Sequence, residues 1–307
     1  MANIIRIGTL APKASPWGQI FTVWADAVSK RSNGQLELQF FYNGQQGDEG
    51  AMVNKLKNSQ LDGLAVTAVG LGKLYKPILA LHMPGIINTW AKLDAVREAM
   101  KGEFERGLSD AGVTLAGWGD VGAVRLMSKG FAIKTPDDIQ GKHPYMWRDN
   151  SIKPVLYQTI GGITPVPLNV PEVLPNLNTG AVNIVYAPSL AAEQFLWTSK
   201  LDTITDTTVL MECGGIALSS KCVNALPADL KDILLETGGV ATNALTKRIR
   251  AEDDAAFARI KGRMTLVTHS ADESAKWNSL FKQVRQKLGQ EGVFDPALIA
   301  KIEGLAK

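Results

Sequence analysis

The sequence predicts an α/β fold with two lobes, and three observations support this prediction. The chain has 307 residues, and a typical domain has about 150, so the length corresponds to two domains or lobes. Hydrophobic residues make up 45% of the chain and charged residues 21%, a balance typical of globular proteins. Strand-like and helix-like segments alternate from the N-terminus onward, which is typical of sheets with largely parallel pairing.

The N-terminal segment predicts a β-α-β-α-β series. Its first helix begins at Ser15, a favourable N-cap, with Pro16 at the first helical position. Apolar residues then follow at helical spacing until Asn33 and Gly34 end the helix. Strands are predicted over residues 4–10, 36–41 and 61–69, with a second helix around Met52.

The rest of the chain continues this alternation. Helices are predicted over residues 96–108, 152–160 and from 227 to about 263, the last with a kink at 238–239. Strands are predicted over residues 113–118, 142–147, 164–167 and 182–186, and a short capped helix over 135–138. No low-complexity linker separates the halves, so we expect several strands to cross between the lobes.

Charge and hydropathy exclude two classes of function. The net charge is only +3, and the basic cluster at residues 247–250 is followed at once by acids, so nothing indicates nucleic-acid binding. No window approaches the roughly 18 apolar residues of a membrane helix. The first residues lead directly into a strand pattern without a signal peptide, which fits a cytosolic protein or an exported one whose signal is removed.

The chain carries no recognisable reaction centre. It has neither a Gly-x-Ser-x-Gly elbow nor a phosphate-binding Gly-x-x-x-x-Gly-Lys loop. Its histidines are scattered and show no metal-ligand spacing. Cys213 and Cys222 are expected to be free thiols, with a disulfide as the alternative. We therefore expect a protein that is not an enzyme and that needs no metal or cofactor.

Four segments in the same order and spacing resemble one family. They are FFYNGQQGDE at 40–49, KTPDDIQGK at 134–142, IGGITPVP at 160–167 and EVLPNLNTGAV at 172–182. Together they resemble the DctP-type extracytoplasmic solute-binding proteins of tripartite ATP-independent periplasmic (TRAP) transporters, and the similarity runs nearly end to end.

The resemblance implies a two-lobed periplasmic-binding-protein-like fold with crossing strands and a long C-terminal interlobe helix. It places lobe I at residues 4–122 with 211–247 and lobe II at 123–210 with 248–307, with a ligand cleft between them. It also implies a periplasmic or extracytoplasmic location, a small-molecule ligand and TRAP membrane permease subunits as partners. The chain is expected to be a monomer or a homodimer.

Two positions bear on how a ligand would be held. The family usually binds a substrate carboxylate with an arginine, whose planar guanidinium offers two parallel donors. When Gly141 is aligned with the family glycine, Tyr145 occupies that position and the arginine is missing. A second family arginine is matched by Arg125, which either orients an anionic end of the ligand or forms a structural salt bridge.

A less polar ligand is predicted from these departures. Residues 184–187 read IVYA where relatives carry acidic and amide side chains, and an apolar pocket gains about 25 cal/mol per Å² of apolar surface buried. We expect a hydrophobic or aromatic compound, such as a monocarboxylate or lipid-like molecule, rather than a dicarboxylate or sugar acid. The predicted ligand-binding residues are Trp17, Arg125, Tyr145, Trp147, Asn183 and Tyr186.

Three alternatives remain open from the sequence. A sensor module would use the same ligand binding without a permease. A typical binder of organic acids, such as a dicarboxylate or keto acid, would keep the usual ligand class of the family. An α/β enzyme acting on a small carboxylate would need a nucleophile or metal motif that the sequence does not show.

Overall fold

The computed structural model describes residues 3–307, which fold into two compact units. The first unit contains the chain up to Ile78, together with Met100–Asp120 and Cys213–Glu252. The second unit contains Leu79–Ala99, Val121–Glu212 and Asp253–Lys307. Residues 79–99, which the predicted boundaries place in lobe I, belong to the second unit. The predicted ligand cleft stays a prediction.

The first unit contains the predicted β-α-β-α-β series. Its elements are β1 (Asn3–Thr9), α1 (Pro16–Arg31), β2 (Leu36–Phe41), α2 (Glu49–Lys57), β3 (Gly63–Thr67) and α3 (Ala68–Leu74). Strand β1 pairs in parallel with both β2 and β3. Helix α1 begins as predicted, because the Ser15 side chain accepts a hydrogen bond from the Gly18 N–H, with Pro16 next in the chain.

The remaining elements follow in chain order. The helices are α4 (Trp90–Asp110), α5 (Ile152–Ile160), α6 (Val173–Thr179), α7 (Ser189–Gln194), α8 (Ser220–Ala225), α9 (Ala228–Lys261), α10 (Ala271–Gln290) and α11 (Pro296–Leu305). The strands are β4 (Val113–Ser128), β5 (Tyr145–Trp147), β6 (Val166–Leu168), β7 (Ile184–Pro188), β8 (Thr203–Thr205), β9 (Leu210–Ser219) and β10 (Thr265–Val267). Elements α4, β4, β9 and α9 contain residues of both units.

Strand pairing is mixed, and the prediction of largely parallel pairing was wrong on this point. In the first unit, β3 pairs antiparallel with β9. In the second unit, β4 pairs antiparallel with β7 and β8, whereas β8–β10 and β5–β6 are parallel. The short repeating pattern near the N-terminus predicted parallel neighbours, but β9 lies far away in sequence and no local pattern shows its direction.

Apolar residues fill the interior of both units. In the first unit they include Ile5 and Ile7 on β1, Trp24 on α1 and Leu64 on β3, all almost fully buried. The Trp24 indole also donates a hydrogen bond to Thr237 on α9, which anchors that helix. None of the described helices is long and apolar enough to cross a membrane.

Candidate functional site

A pocket lies within the second unit. Its cavity is about 40 Å³, and since one water needs roughly 10–15 Å³ of such space, it has room for a group of a few non-hydrogen atoms. The lining residues are His82, Pro84, Val124, Tyr145, Trp147, Asn150, Ile152, Lys153, Leu156, Tyr186, Leu210 and Glu212. Most are apolar or aromatic, and the few polar groups among them are typical of a ligand site.

Regular secondary structure places these side chains. Tyr145 and Trp147 are two residues apart on β5, and so are Leu210 and Glu212 on β9, so each pair shares a face of its strand. Helix α5 contributes its first turn, and its start is fixed by the Asn150 side chain, which accepts a hydrogen bond from the Ile152 N–H at 2.9 Å. Lys153 and Glu212 are therefore held on regular elements, α5 and β9.

Lys153 is the most unusual residue of the pocket. The residue is only 8% exposed, and its Nζ lies 2.9 Å from the centroid of the Tyr186 ring. No group of the described chain accepts a hydrogen bond from this Nζ. Burial lowers the pKa of Lys153 well below its ordinary value, and the negative charge of Glu212 counters part of that effect. The pocket thus contains a buried amine that lacks an acceptor.

Glu212 faces the same pocket from β9. Within residues 3–307 the side chain of Glu212 makes no hydrogen bond or ion pair, so it and Lys153 are not directly paired. Burial raises the pKa of Glu212 to about 7, with the positive charge of Lys153 acting in the opposite direction. Both hydrogen-bonding groups remain open to a bound molecule.

Tyr145, Trp147 and Tyr186 form an aromatic wall of the pocket, and further rings pack against Tyr145. Tyr145 contacts Trp197 edge-on at a centroid distance of 5.9 Å, and Trp197 stacks on Phe195. The Tyr157 hydroxyl donates to the Tyr145 backbone oxygen at 2.9 Å, which ties β5 to α5. This wall is suited to the apolar part of a ligand.

Arg125, predicted to bind the ligand, is surrounded by other groups. It follows Val124 on β4, so its side chain leaves the opposite face of the strand from the pocket-lining Val124. Its guanidinium carbon lies 3.8 Å from the centroid of the Phe257 ring, and Nη1 donates to the Ala123 oxygen. Burial lowers the pKa of Arg125, and the carboxylate of Asp253 counters the shift most strongly.

Asp253 is almost fully buried beside Arg125. Its carboxylate accepts hydrogen bonds from the backbone N–H groups of Ala123 and Leu190, at 2.8 and 2.9 Å. Gly122 makes this approach feasible, because a Cβ at that position would lie 2.6 Å from the Asp253 carboxylate. The surroundings of Arg125 are therefore built mainly from the protein's own groups.

The predicted site residues are distributed over both units. Tyr145, Trp147 and Tyr186 line the pocket. Asn183, just before β7, accepts a hydrogen bond from the His143 N–H through its side chain and does not line the pocket. Trp17 lies in the first unit, buried on α1, where its indole donates to the Asp120 oxygen. Whether Trp17, Arg125 or Asn183 contacts a ligand stays a prediction.

Sequence reasoning missed Lys153, Glu212, Asn150 and His82. Glu212 was detectable, because it is the single charged residue in the otherwise apolar segment 209–218. Lys153 gave a weaker signal, since a lysine beside apolar helix residues ordinarily reaches solvent with its amine.

The two cysteines are free thiols, and Cys213 is buried. Among residues 3–307 no group of three or more histidine, cysteine or acidic side chains is arranged to hold a metal ion.

Sequence comparison identifies relatives across most of the chain. The profile of the DctP family, described as "Bacterial extracellular solute-binding protein, family 7", matches residues 7–291. A solute-binding protein from Chromohalobacter salexigens is 21% identical over 222 residues, which cover 71% of this chain. The match spans 66% of that relative's length, slightly less than two thirds.

Solved structures share the fold over nearly the full length. A sugar acid binding protein from Advenella mimigardefordensis in complex with galactonate gives a TM-score of 0.91 at 18% identity, covering 99% of this chain and 98% of its own. A TRAP periplasmic solute-binding protein from Sulfurospirillum deleyianum with bound succinate gives 0.88 at 20% identity, covering 99% and 100%. These matches confirm the predicted fold class.

Proposed function

We propose that this chain, which belongs to family 7 of the bacterial extracellular solute-binding proteins, binds a small organic acid in the pocket of its second unit. Lys153 holds the carboxylate of that acid. Proteins of this family bind solutes for TRAP transporters rather than transform them. The ligand is released to a TRAP membrane permease, and the protein works outside the cytoplasm.

The observation that carries this proposal is the buried amine of Lys153. An ammonium group without a hydrogen-bond acceptor costs the folded protein several kcal/mol in an apolar environment. A ligand carboxylate supplies the missing acceptor and the opposite charge, and such charge-assisted hydrogen bonds are about twice as strong as neutral ones. Lys153 also lies in the first turn of α5, where the positive end of the helix dipole favours a bound anion.

A wholly hydrophobic ligand is not supported. The Advenella structure holds galactonate and the Sulfurospirillum structure holds succinate, and both ligands are acids. The expectation arose because Tyr145 replaces the family arginine, and a lost cation suggested a lost anion. Lys153 supplies a cation from α5 instead, so the alternative of an organic-acid binder is the one we adopt.

The aromatic wall keeps a role in this proposal. Trp147, Tyr145 and Tyr186 present ring surfaces to the cavity, and burying apolar ligand surface contributes about 25 cal/mol per Å². The acid that fits best therefore carries its carboxylate at one end and a compact apolar portion at the other.

Isothermal titration calorimetry with a panel of acids tests the proposal. The panel contains three-carbon acids, C4-dicarboxylates, a sugar acid and an uncharged amide matched in size to each, titrated into ligand-free protein. We expect at least one acid to bind at micromolar concentration or below and its amide to bind far more weakly. Equal binding of acid and amide, or binding of none of the panel, would contradict the proposal.

A matched pair of variants locates the binding. Lys153→Met removes the pocket amine, whereas Lys142→Met removes a lysine that also rests on an aromatic ring, with its Nζ 4.5 Å from the centroid of the Phe131 ring. Lys142 does not line the pocket. Only the Lys153→Met variant should lose affinity for the acid.

A further inference from the structure

Glu212 brings an opposite charge into the pocket that contains Lys153. The two side chains lie on different elements, β9 and α5, and both line the same small cavity. They form no ion pair with each other, so the carboxylate of Glu212 is not used up in neutralising the amine. A ligand that fills the cavity meets both groups.

A ligand that offers only a carboxylate to Lys153 leaves the Glu212 carboxylate without a hydrogen-bond donor. An ionised Glu212 accepts hydrogen bonds but cannot donate one, and a second carboxylate in the same cavity repels it. Two arrangements remove this conflict. Either the ligand offers a hydrogen-bond donor beside its carboxylate, or Glu212 carries a proton and becomes the donor itself.

We propose that Glu212 determines which functional group the ligand carries next to its carboxylate, a hydroxyl or a carbonyl group. A hydroxyl group both donates and accepts, so 2-hydroxy acids can pair with Glu212 in its ionised form and in its protonated form. When protonated, it donates a hydrogen bond to a carbonyl group, so 2-oxo acids fit only in that form. This inference rests on the proposed function, because it requires the ligand carboxylate to lie on Lys153.

The environment of Glu212 makes both forms accessible near neutral pH. Burial raises its pKa to about 7, and the charges of Lys153 and Asp253 act on that pKa in opposite directions. The other titratable side chains that face the pocket are Lys153 on α5, Tyr145 on β5, Tyr186 on β7 and His82 at the end of the 3-10 helix Lys76–His82. Titration of these groups affects both kinds of acid alike, because each carries the same carboxylate.

The experiment compares lactate, which has a hydroxyl group beside its carboxylate, with pyruvate, which has a carbonyl group at the same position. Calorimetry gives the ratio of their affinities at pH 6, 7 and 8 for the wild-type protein. With a pKa of about 7, the protonated fraction of Glu212 falls about tenfold between pH 6 and pH 8, and the apparent affinity for pyruvate falls with it. The lactate-to-pyruvate ratio should therefore rise about tenfold over this range.

Two variants separate selection by Glu212 from other effects. Glu212→Gln replaces the carboxyl by an amide, which donates and accepts at every pH, so its affinity ratio should not change with pH. Glu193→Gln is the control, because Glu193 pairs with Arg259 and Arg263 on the surface and does not line the pocket. Its ratio should follow the wild type.

The outcomes distinguish this inference from the proposed function. A ratio that stays flat in the wild type, while both acids still require Lys153, overturns the role of Glu212 and leaves the proposed function intact. Absence of binding by both acids also overturns the inference, and failure of every acid in the larger panel overturns the proposed function as well. A ratio that rises in the wild type and in Glu193→Gln but not in Glu212→Gln supports the inference.

Discussion

Two buried cations of the second unit, Arg125 and Lys153, differ in what surrounds them. Both residues are 8% exposed and each rests on an aromatic ring. Arg125 donates through Nη1 to a backbone oxygen and has the buried Asp253 nearby, while its Nε has no acceptor among the described residues. Lys153 has no hydrogen-bond acceptor in the described chain, and its amine faces a cavity. The protein's own groups surround Arg125, whereas the proposed function assigns the acceptor for Lys153 to a ligand.

The comparison shows that burial of a cation does not by itself identify a binding residue. Arg125 matched the family pattern and was predicted to orient the ligand, whereas Lys153 matched none. Each has a nitrogen without an acceptor, and what distinguishes Lys153 is that it lines a cavity, whereas Arg125 does not. Substitutions at the two positions should therefore have different and in part opposite effects.

The largest expected effect is on ligand affinity. Truncating one partner of a buried, hydrogen-bonded charge pair costs about 2–5 kcal/mol, so Lys153→Met should weaken acid binding by at least roughly thirtyfold. Arg125→Met should change affinity less. Calorimetry measures the acid affinity of both variants, with Lys142→Met as the control. A larger loss of affinity in Arg125→Met than in Lys153→Met would show that Arg125, not Lys153, holds the ligand.

The effects on stability should have opposite signs. Lys153→Met removes a buried amine that lacks an acceptor, which should raise the free energy of unfolding of the ligand-free protein by about 1–3 kcal/mol. Arg125→Met removes the contact with Phe257 and the hydrogen bond to Ala123, which should lower it by about 1–2 kcal/mol. Urea unfolding without ligand checks both values, and a destabilised Lys153→Met variant would show that the amine has a structural partner.

Stability should also depend on pH through Lys153. The folded-state pKa of Lys153 is lowered by burial below its ordinary value of 10.5, so between these two values the unfolded state binds more protons. The free energy of unfolding contributed by Lys153 therefore rises as pH rises through this window. Between pH 8 and pH 10 the advantage of Lys153→Met over the wild type should shrink. An advantage that is constant with pH would show that Lys153 keeps its full charge in the folded protein.

The smallest effect is expected at the ring beneath Lys153. Tyr186→Leu removes the aromatic face that contacts the ammonium, a contribution of about 0.5–2 kcal/mol, so acid affinity should fall several-fold. Tyr186→Phe keeps the face and should bind nearly as tightly as the wild type. Equal losses in the two variants would assign the effect to the hydroxyl group instead.

The local elements were predictable because their signals are local. Ser15 and Pro16 predicted the start of α1, the observed α5 has the predicted bounds, and the turn at Thr135 has the expected capping box. The directions of β4 and β9 were not predictable, since their partners lie far away in sequence and pairing direction depends on the whole chain.

The candidate site was predictable only in its aromatic part. Tyr145, Trp147 and Tyr186 lie on strands that the sequence predicted, and all three line the pocket. The alignment of Tyr145 with the family arginine stays a prediction, and one position cannot show whether another element supplies a cation. Lys153 and Glu212 come together through the packing of α5 and β9, which no linear pattern records.

The most direct test is a crystal structure of the protein with the tightest-binding acid of the panel. Our account predicts a carboxylate oxygen of the ligand within about 2.7–2.9 Å of Lys153 Nζ, the usual length of such a charged hydrogen bond. A ligand whose carboxylate contacts Arg125, with Lys153 still resting on Tyr186 and without an acceptor, would contradict it.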